Sequence, residues 1–304
     1  MIYPSFNTFS YALTMFKTYL PNYVVASIVI SLGGILNGYD TGSIGSALTM
    51  KQFEESIGHL SPSLLGFSVS LIMLTGSLPS VFGGYLADKF GRLKIVTAGF
   101  ILFAIGAFLQ GSAYTLTQFL VGRALAGLGE GLFLSNISVY ICEIAPAKWR
   151  GVLGGVPQFM VAFAICVGYF SCYGSVRLES SMAWRLPFII QGSIAVAMAL
   201  ACFALPDSPR WYALCGKRDH ALRALDWLGL PPEETDFMSS ASITPAQHQS
   251  SLGYWQSILL LFKRGYRTRT FLALFVLGMV QLSGIDGVIY VSQGFHHSPL
   301  ILLS

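Results

Sequence analysis

The chain has 304 residues, of which 54% are hydrophobic and only 11% are charged. Soluble domains carry about 25% charged residues, so this composition excludes a soluble globular protein and indicates an all-α, polytopic membrane protein. The net charge of +4 could indicate a nucleic-acid partner. The distribution of the basic residues along the chain, described below, explains this charge without one.

Stretches long and apolar enough to cross a bilayer recur along the chain. A spanning helix needs about 20 apolar residues. The polar stretch 206–269 contains Pro231-Pro232 and an acidic run, and we expect a short amphipathic helix at 216–228 and mobile chain at 231–252. The candidate spans are residues 23–48, 63–83, 95–112, 117–140, 152–173, 187–205 and 270–292.

The basic residues predict the orientation. If the spans alternate, most Lys and Arg residues fall in loops on one side of the membrane, whereas the other side receives only Lys51, Arg177 and Arg185. The basic side is the cytoplasm by the positive-inside rule, so the N-terminus is expected inside. This asymmetry accounts for the net charge without a nucleic-acid partner.

Charged residues inside the predicted spans are the strongest functional signal. They are Asp40, Arg123, Glu130 and Asp286. An ionised group in the bilayer interior costs several kcal/mol and usually marks a substrate or ion pathway. Arg123 and Glu130 are seven residues apart, hence near one helix face and separated by roughly 10 Å of rise. A static ion pair that only joins helices is the alternative for Asp40 and Arg123.

Small residues at four-residue intervals occur in the first and fourth predicted spans. Such residues line one face of a helix and allow a neighbouring helix to approach closely. We therefore expect tight helix contacts along both faces. The residues are Gly34, Gly38, Gly42 and Ser46 in the first span, and Gly127, Gly131 and Ser135 in the fourth.

A series of motifs resembles the sugar porter family of the major facilitator superfamily, and most of all its fungal members. The resemblance covers nearly the whole chain, and the order of the motifs makes it specific. In chain order the motifs are Gly38-Tyr39-Asp40-Thr41-Gly42, Gly84-Tyr85-Leu86-Ala87-Asp88-Lys89-Phe90-Gly91-Arg92, Gly122-Arg123 with Gly127, Gly129 and Gly131, Val139-Tyr140-Ile141-Cys142-Glu143-Ile144-Ala145-Pro146 with Arg150-Gly151, Pro206-Asp207-Ser208-Pro209-Arg210-Trp211 and Gln281-Leu282-Ser283-Gly284-Ile285.

The resemblance implies a domain plan. Residues 1–22 are expected to be a cytoplasmic N-terminus, 23–205 an N-terminal six-helix bundle and 206–269 a cytoplasmic linker. Residues 270–304 would be a seventh span and tail that begin an incomplete second bundle, so the chain is expected to be C-terminally truncated.

The resemblance also implies roles for residues. Gln158, Gln281, Asp286 and Tyr290 match sugar ligands, and a glutamine amide suits a sugar because it both donates and accepts hydrogen bonds. Asp40 and Arg123 match the family's proton-coupling pair, and the intramembrane Glu130 is added to them as a third candidate. A third set matches a cytoplasmic charge network that latches the outward-facing state: Asp88, Arg92, Glu143 and Arg150.

The departures from the family pattern favour either an altered specificity or relaxed selection on a damaged copy. Leu93 replaces a basic residue of the loop motif, Val280 replaces a glutamine, and Asp286 stands where asparagine is usual. The five cysteines lack metal-ligand spacing and His296-His297 has no accompanying ligands, so neither a metal site nor a cofactor is predicted.

The sequence therefore predicts a multi-pass carrier, not an enzyme, in the plasma membrane. It would move a monosaccharide, a related polyol or a sugar acid by alternating access, with possible proton symport through Asp40 and Arg123. Its partners would be the sugar, the proton and the lipid bilayer. Two alternatives are a non-transporting sugar receptor or sensor of the same fold and an inactive half-transporter.

Overall fold

The computed structural model describes residues 21–230, 259, 262–263 and 265–284. Within these residues the chain is helical and contains no β-strand. The chain divides into two compact units, residues 1–241 and 242–304. The predicted mobile segment 231–252 and the N-terminal residues 1–20 lie outside the described residues.

Six helical segments of the first unit are long and apolar enough to cross a membrane. The first of them, Asn22–Leu48, consists of two helices that continue through Leu32. In chain order the helices are α1 (Asn22–Ser31), α2 (Gly33–Leu48), α3 (Lys51–Ile57), α4 (Pro62–Phe90), α5 (Arg92–Gly111), α6 (Leu116–Ile144), α7 (Arg150–Ser175), α8 (Met182–Cys202), α9 (Pro209–Leu214), α10 (Arg218–Leu228) and, in the second unit, α11 (Arg267–Leu282).

The structure confirms the first six predicted spans but lengthens most of them. Helix α4 continues to Phe90, whereas the predicted span ends at residue 83. The prediction used the length of the apolar stretch, which corresponds only to the part of the helix within the hydrocarbon core. The helix itself continues into the polar sequence that follows. Of the predicted seventh span, 270–292, residues 270–282 lie in α11, which ends at Leu282, and Gly284 has a φ of +69°.

The glycines of α2 bring its backbone against that of α7. A Cβ atom added to Gly38 would collide with the carbonyl oxygen of Val161, and one added to Gly42 with that of Ile165. Gly34 faces the carbonyl oxygen of Pro157 in the same way. The predicted close contact is therefore confirmed, and its partner is α7.

Helix α6 is packed closely on two sides. Gly131 faces the carbonyl oxygen of Gly76 on α4, and Gly129 faces that of Gly99 on α5. Two glycine faces thus hold α6 between α4 and α5. The side chains that α6 directs inward, including Arg123 with 0% exposure, lie inside the bundle.

Arg185 differs from its sequence-based placement in a loop. Helix α8 begins at Met182, so Arg185 lies in its first turn, where it is buried. Its Nη1 donates to the carbonyl oxygen of Gly111 (3.1 Å) and its Nη2 to that of Ala113 (2.8 Å). A guanidinium at this position satisfies carbonyl groups at the end of α5, which have no partner within the helix.

The segment after α8 is tied to the loop between α4 and α5. Asp207 Oδ1 accepts hydrogen bonds from the backbone N–H groups of Arg92 (3.1 Å), Leu93 (3.3 Å) and Ser208 (2.8 Å). Trp211 Nε1 donates to the carbonyl oxygen of Asp88 (2.8 Å). The start of the predicted linker is therefore part of the first compact unit.

Helix α10 confirms the predicted amphipathic helix. The buried positions follow the spacing of one helix face, and Leu228 is fully buried in the core of the first unit. Asn22 Nδ2 at the start of α1 donates to the carbonyl oxygen of Trp227. These buried residues are Ala221, Ala224, Leu225 and Leu228.

Asp207 gives the fold a predictable pH dependence. Burial raises the pKa of its carboxyl, opposed by the three backbone hydrogen bonds and the charge of Arg92. A carboxyl with a raised pKa in the folded state stabilises the fold below its unfolded pKa, about 3.9, and this contribution is lost as the pH rises through the folded pKa. We expect the melting temperature of the wild type to fall relative to that of Asp207→Asn as the pH rises above about 4.

Thermal unfolding of both proteins across this pH range measures the effect. Asp226→Asn, which removes an exposed carboxyl from α10, is the control and should leave the wild-type pH slope unchanged. Parallel slopes for the wild type and Asp207→Asn would contradict the prediction.

Candidate functional site

The fold brings Asp40 and Arg123 into direct contact inside the bundle. Asp40 lies on α2 and Arg123 on α6, and Arg123 Nη1 lies 2.7 Å from Oδ1 and 2.9 Å from Oδ2 of Asp40. Asp40 is 3% exposed and Arg123 is fully buried. Two residues that the sequence singles out as isolated charges therefore form one ion pair.

The remaining donors of Arg123 bind the backbone of α4. Its Nε donates to the carbonyl oxygen of Ser68 (3.2 Å) and its Nη2 to that of Val69 (3.1 Å). A buried ion pair is tolerated only when additional hydrogen bonds satisfy its remaining polar groups. Arg123 meets this condition by joining three helices, α2, α4 and α6.

Gln191 on α8 completes the surroundings of Asp40, and the sequence analysis missed it. Its Nε2 donates to Asp40 Oδ1 (3.1 Å) and approaches the carbonyl oxygen of Leu36 (3.4 Å), and the side chain is fully buried. The available signal was a lone glutamine within the predicted span 187–205, comparable to Gln158 in the predicted span 152–173.

Glu130 lies near this pair but has a different partner. Asn37 on α2 donates from its Nδ2 to Glu130 Oε1. Glu130 Oε2 is buried and makes no hydrogen bond within the part of the chain that the structure describes. Asn37 is a second residue that sequence reasoning missed, although it precedes Asp40 by three positions and therefore lies near it on the helix.

The predicted sugar ligands are only partly within the described structure. Gln158 lies on α7 directly after Pro157, and its side chain is exposed. Gln281 lies in α11, in the second unit. Asp286 and Tyr290 lie outside the described residues, so the sugar-ligand assignments remain predictions.

The structure brings together three of the four residues of the predicted latch. Arg92 contacts Asp88 (Nη2 to Oδ1, 2.7 Å) and holds Glu143 through Nε (3.0 Å to Oε2) and Nη2 (3.1 Å to Oε1). Arg150 differs, because its Nη2 donates to the carbonyl oxygen of Ala145 (3.2 Å). Among the described residues, Glu143 forms an ion pair with Arg92 alone.

The substituted position of the loop motif, Leu93, has a structural role. Its side chain is 6% exposed and belongs to the hydrophobic core of the first unit, and its backbone N–H binds Asp207. A basic side chain in this position would have to be buried, which is costly without a partner.

Comparison with known proteins identifies the class. The family model described as "Sugar (and other) transporter" matches residues 26–299. The chain therefore belongs to the sugar transporter family, which is a family of transporters and not of enzymes. Together with the six apolar helices, this makes it a multi-pass membrane protein of the major facilitator superfamily fold.

Individual relatives match this chain in sequence over little more than half of their own length. Polyol transporter 5 of Arabidopsis thaliana is 31% identical over 288 residues, which cover 89% of this chain and 53% of that protein. The arabinose-proton symporter of Bacillus subtilis (strain 168) is 28% identical over 274 residues, covering 88% and 57%.

A solved structure supports the same fold. The structure of the proton:xylose symporter XylE bound to 6-bromo-6-deoxy-D-glucose matches with a TM-score of 0.67 at 24% identity, covering 75% of this chain and 54% of that one. The chain thus spans little more than half the length of the proteins that it matches.

Proposed function

We propose that the protein acts in the transport of a monosaccharide or a related polyol across a membrane by alternating access, coupled to protons through Asp40. The buried ion pair of Asp40 and Arg123 carries this proposal. Relatives named as a polyol transporter and an arabinose-proton symporter support the substrate class and the coupling.

The geometry supplies a physical basis for coupling. Ionised Asp40 accepts two hydrogen bonds from Arg123 and one from Gln191, so its negative charge is paired inside the bundle. Protonation removes the charge that holds Arg123, so the contact joining α2, α6 and α8 weakens. A conformation in which these helices separate then gains population.

The other roles follow from the same family membership. Gln158, Gln281, Asp286 and Tyr290 would bind sugar hydroxyl groups, with Asp286 favouring a substrate other than a plain neutral hexose. Asp88, Arg92 and Glu143 would latch one conformation by joining α4, α5 and α6, with Arg150 supporting the end of α6. The basic loops favour a cytoplasmic N-terminus, and the plasma membrane is the expected location. No covalent step and no cofactor is proposed.

Uptake of labelled monosaccharides and polyols tests the proposal. The protein is expressed in cells that lack their own uptake of these compounds, and external pH is recorded when each compound is added. We expect uptake of at least one compound with proton entry, and uptake without proton entry in Asp40→Asn. Asp219→Asn, which changes an exposed carboxyl outside the spans, is the matched control.

Two outcomes would overturn the proposal. Proton entry that survives in Asp40→Asn would show that Asp40 is not the coupling site. Binding of a sugar without uptake of any compound would instead indicate a receptor of the same fold.

A further inference from the structure

A second carboxyl lies inside the bundle without a cation of its own. Glu130 is 9% exposed, and its Oε1 accepts a hydrogen bond from Asn37, which is neutral. Its Oε2 is buried and unpaired within the described residues. A carboxylate in an apolar interior requires an opposite charge or several hydrogen bonds, and Glu130 has one hydrogen bond.

The nearest cation is already neutralised. Arg123 binds both carboxylate oxygens of Asp40, and its other donors bind carbonyl groups of α4. Arg123 and Glu130 lie seven residues apart on α6, hence near one face of the helix. If both carboxyls were ionised, the three groups would carry a net charge of −1 with no counterion among the residues that the structure describes.

The helices around α6 offer no further charge at this depth. On α8 the single charged residue is Arg185, which binds carbonyl groups at the end of α5, and on α2 it is Asp40. Tyrosine and cysteine side chains are neutral at about pH 7. The following stretches contain no Asp, Glu, Lys, Arg or His: 22–31 of α1, 62–87 of α4, 95–111 of α5 and 151–175 of α7.

We propose that Glu130 holds a proton in this conformation, so that Asp40, Arg123 and Glu130 form an electrically neutral cluster that contains one exchangeable proton. The inference rests on the proposed function only in taking Asp40 as the site that a transported proton reaches. The bond that holds the proton is the O–H bond at Oε2, because Oε1 is the acceptor of the Asn37 amide.

The cluster then has a second neutral arrangement. When water delivers a proton to Asp40, an O–H bond forms there and Arg123 loses its anion. Loss of the Glu130 proton to water breaks the O–H bond at Oε2 and restores neutrality. A single cation thus allows one of the two carboxyls to be ionised at a time, which makes Glu130 a proton-releasing site distinct from Asp40.

Infrared spectroscopy of the purified full chain tests the protonation state directly. A protonated carboxylic acid has a C=O stretching band that a carboxylate lacks. At neutral pH we expect such a band in the wild type, its loss in Glu130→Gln and its retention in Glu143→Gln. Glu143 is the matched control because it lies on the same helix but is paired with Arg92.

A second variant keeps the carboxyl and removes its neighbour. In Asn37→Ala the Glu130 C=O group loses its hydrogen bond, so we expect the band to shift to higher frequency without disappearing. Absence of the band from the wild type, its retention in Glu130→Gln or an unshifted band in Asn37→Ala would each overturn the inference. None of these results depends on transport, so a failure here is distinct from a failure of Asp40→Asn in the uptake assay.

Discussion

Replacing Arg123 with methionine is expected to lower the free energy of unfolding by about 3–5 kcal/mol, because it leaves Asp40 buried without its cation. The substitution also removes the donors that bind the carbonyl groups of Ser68 and Val69. Methionine keeps much of the side-chain volume of arginine, so the lost free energy of unfolding comes more from the missing charge and hydrogen bonds than from poorer packing. Thermal or denaturant unfolding of the purified protein measures it.

The double variant Asp40→Asn/Arg123→Met separates the ion pair from its surroundings. With both charges removed, no uncompensated charge remains, and we expect the double variant to be more stable than Arg123→Met alone. Arg218→Met, which removes an exposed arginine from α10, serves as the control for loss of a positive charge. Additive losses in the double variant would show that the two residues do not stabilise each other.

Adding one methyl group at Gly38 is expected to destabilise the bundle by about 1–3 kcal/mol, the usual cost of overpacking. The new Cβ of Gly38→Ala would collide with the backbone carbonyl of Val161, and it would also press against Ala164. A backbone oxygen within a helix cannot rotate away as a side chain can. Alanine favours the helical conformation over glycine by about 1 kcal/mol, so a net loss must come from the contact with α7.

Gly155→Ala on α7 provides a control with the opposite sign. Apart from the neighbouring backbone of α7 itself, no described atom lies within 4 Å of a Cβ at Gly155, so the gain in helix propensity should appear without a steric cost. We expect Gly155→Ala to raise the melting temperature and Gly38→Ala to lower it, measured in the same thermal unfolding assay. Equal effects at the two glycines would contradict the close contact of α2 and α7.

The residues of the site that the sequence predicted are those whose burial in the membrane costs the most free energy. Asp40 and Arg123 are isolated charges in apolar spans, and such charges require partners, so their importance was visible without knowing which helices meet. The first six spans were equally visible, because membrane thickness fixes their apolar length. The glycine spacing predicted close contacts, but the identity of the partner helix, α7, required the fold.

The missed residues are neutral or lie outside the spans. Gln191 and Asn37 are single amides in apolar helices, and a buried amide most often joins two helices without a specific role. Nothing in the spacing of the sequence connects Gln191 with Asp40, because their contact depends on how α8 packs on α2. Asp207 belongs to a recognised motif, but its partners are backbone N–H groups of the α4–α5 loop. Every residue except proline has such a group, so the amino-acid sequence does not show which residues Asp207 contacts.

The glycine contacts of the first unit have a mechanical consequence for the ionisable groups. Through these contacts the backbone of α2 packs directly on that of α7, and the backbone of α6 packs on those of α4 and α5. The helices therefore form two closely packed groups, α2 with α7 and α6 with α4 and α5. Between α2 and α6, polar side-chain bonds join Asp40 with Arg123 and Asn37 with Glu130. The boundary along which the bundle would shear is therefore held in part by side-chain bonds whose strength changes with a single proton, whereas the glycine contacts of α2 with α7, and of α6 with α4 and α5, involve no ionisable group.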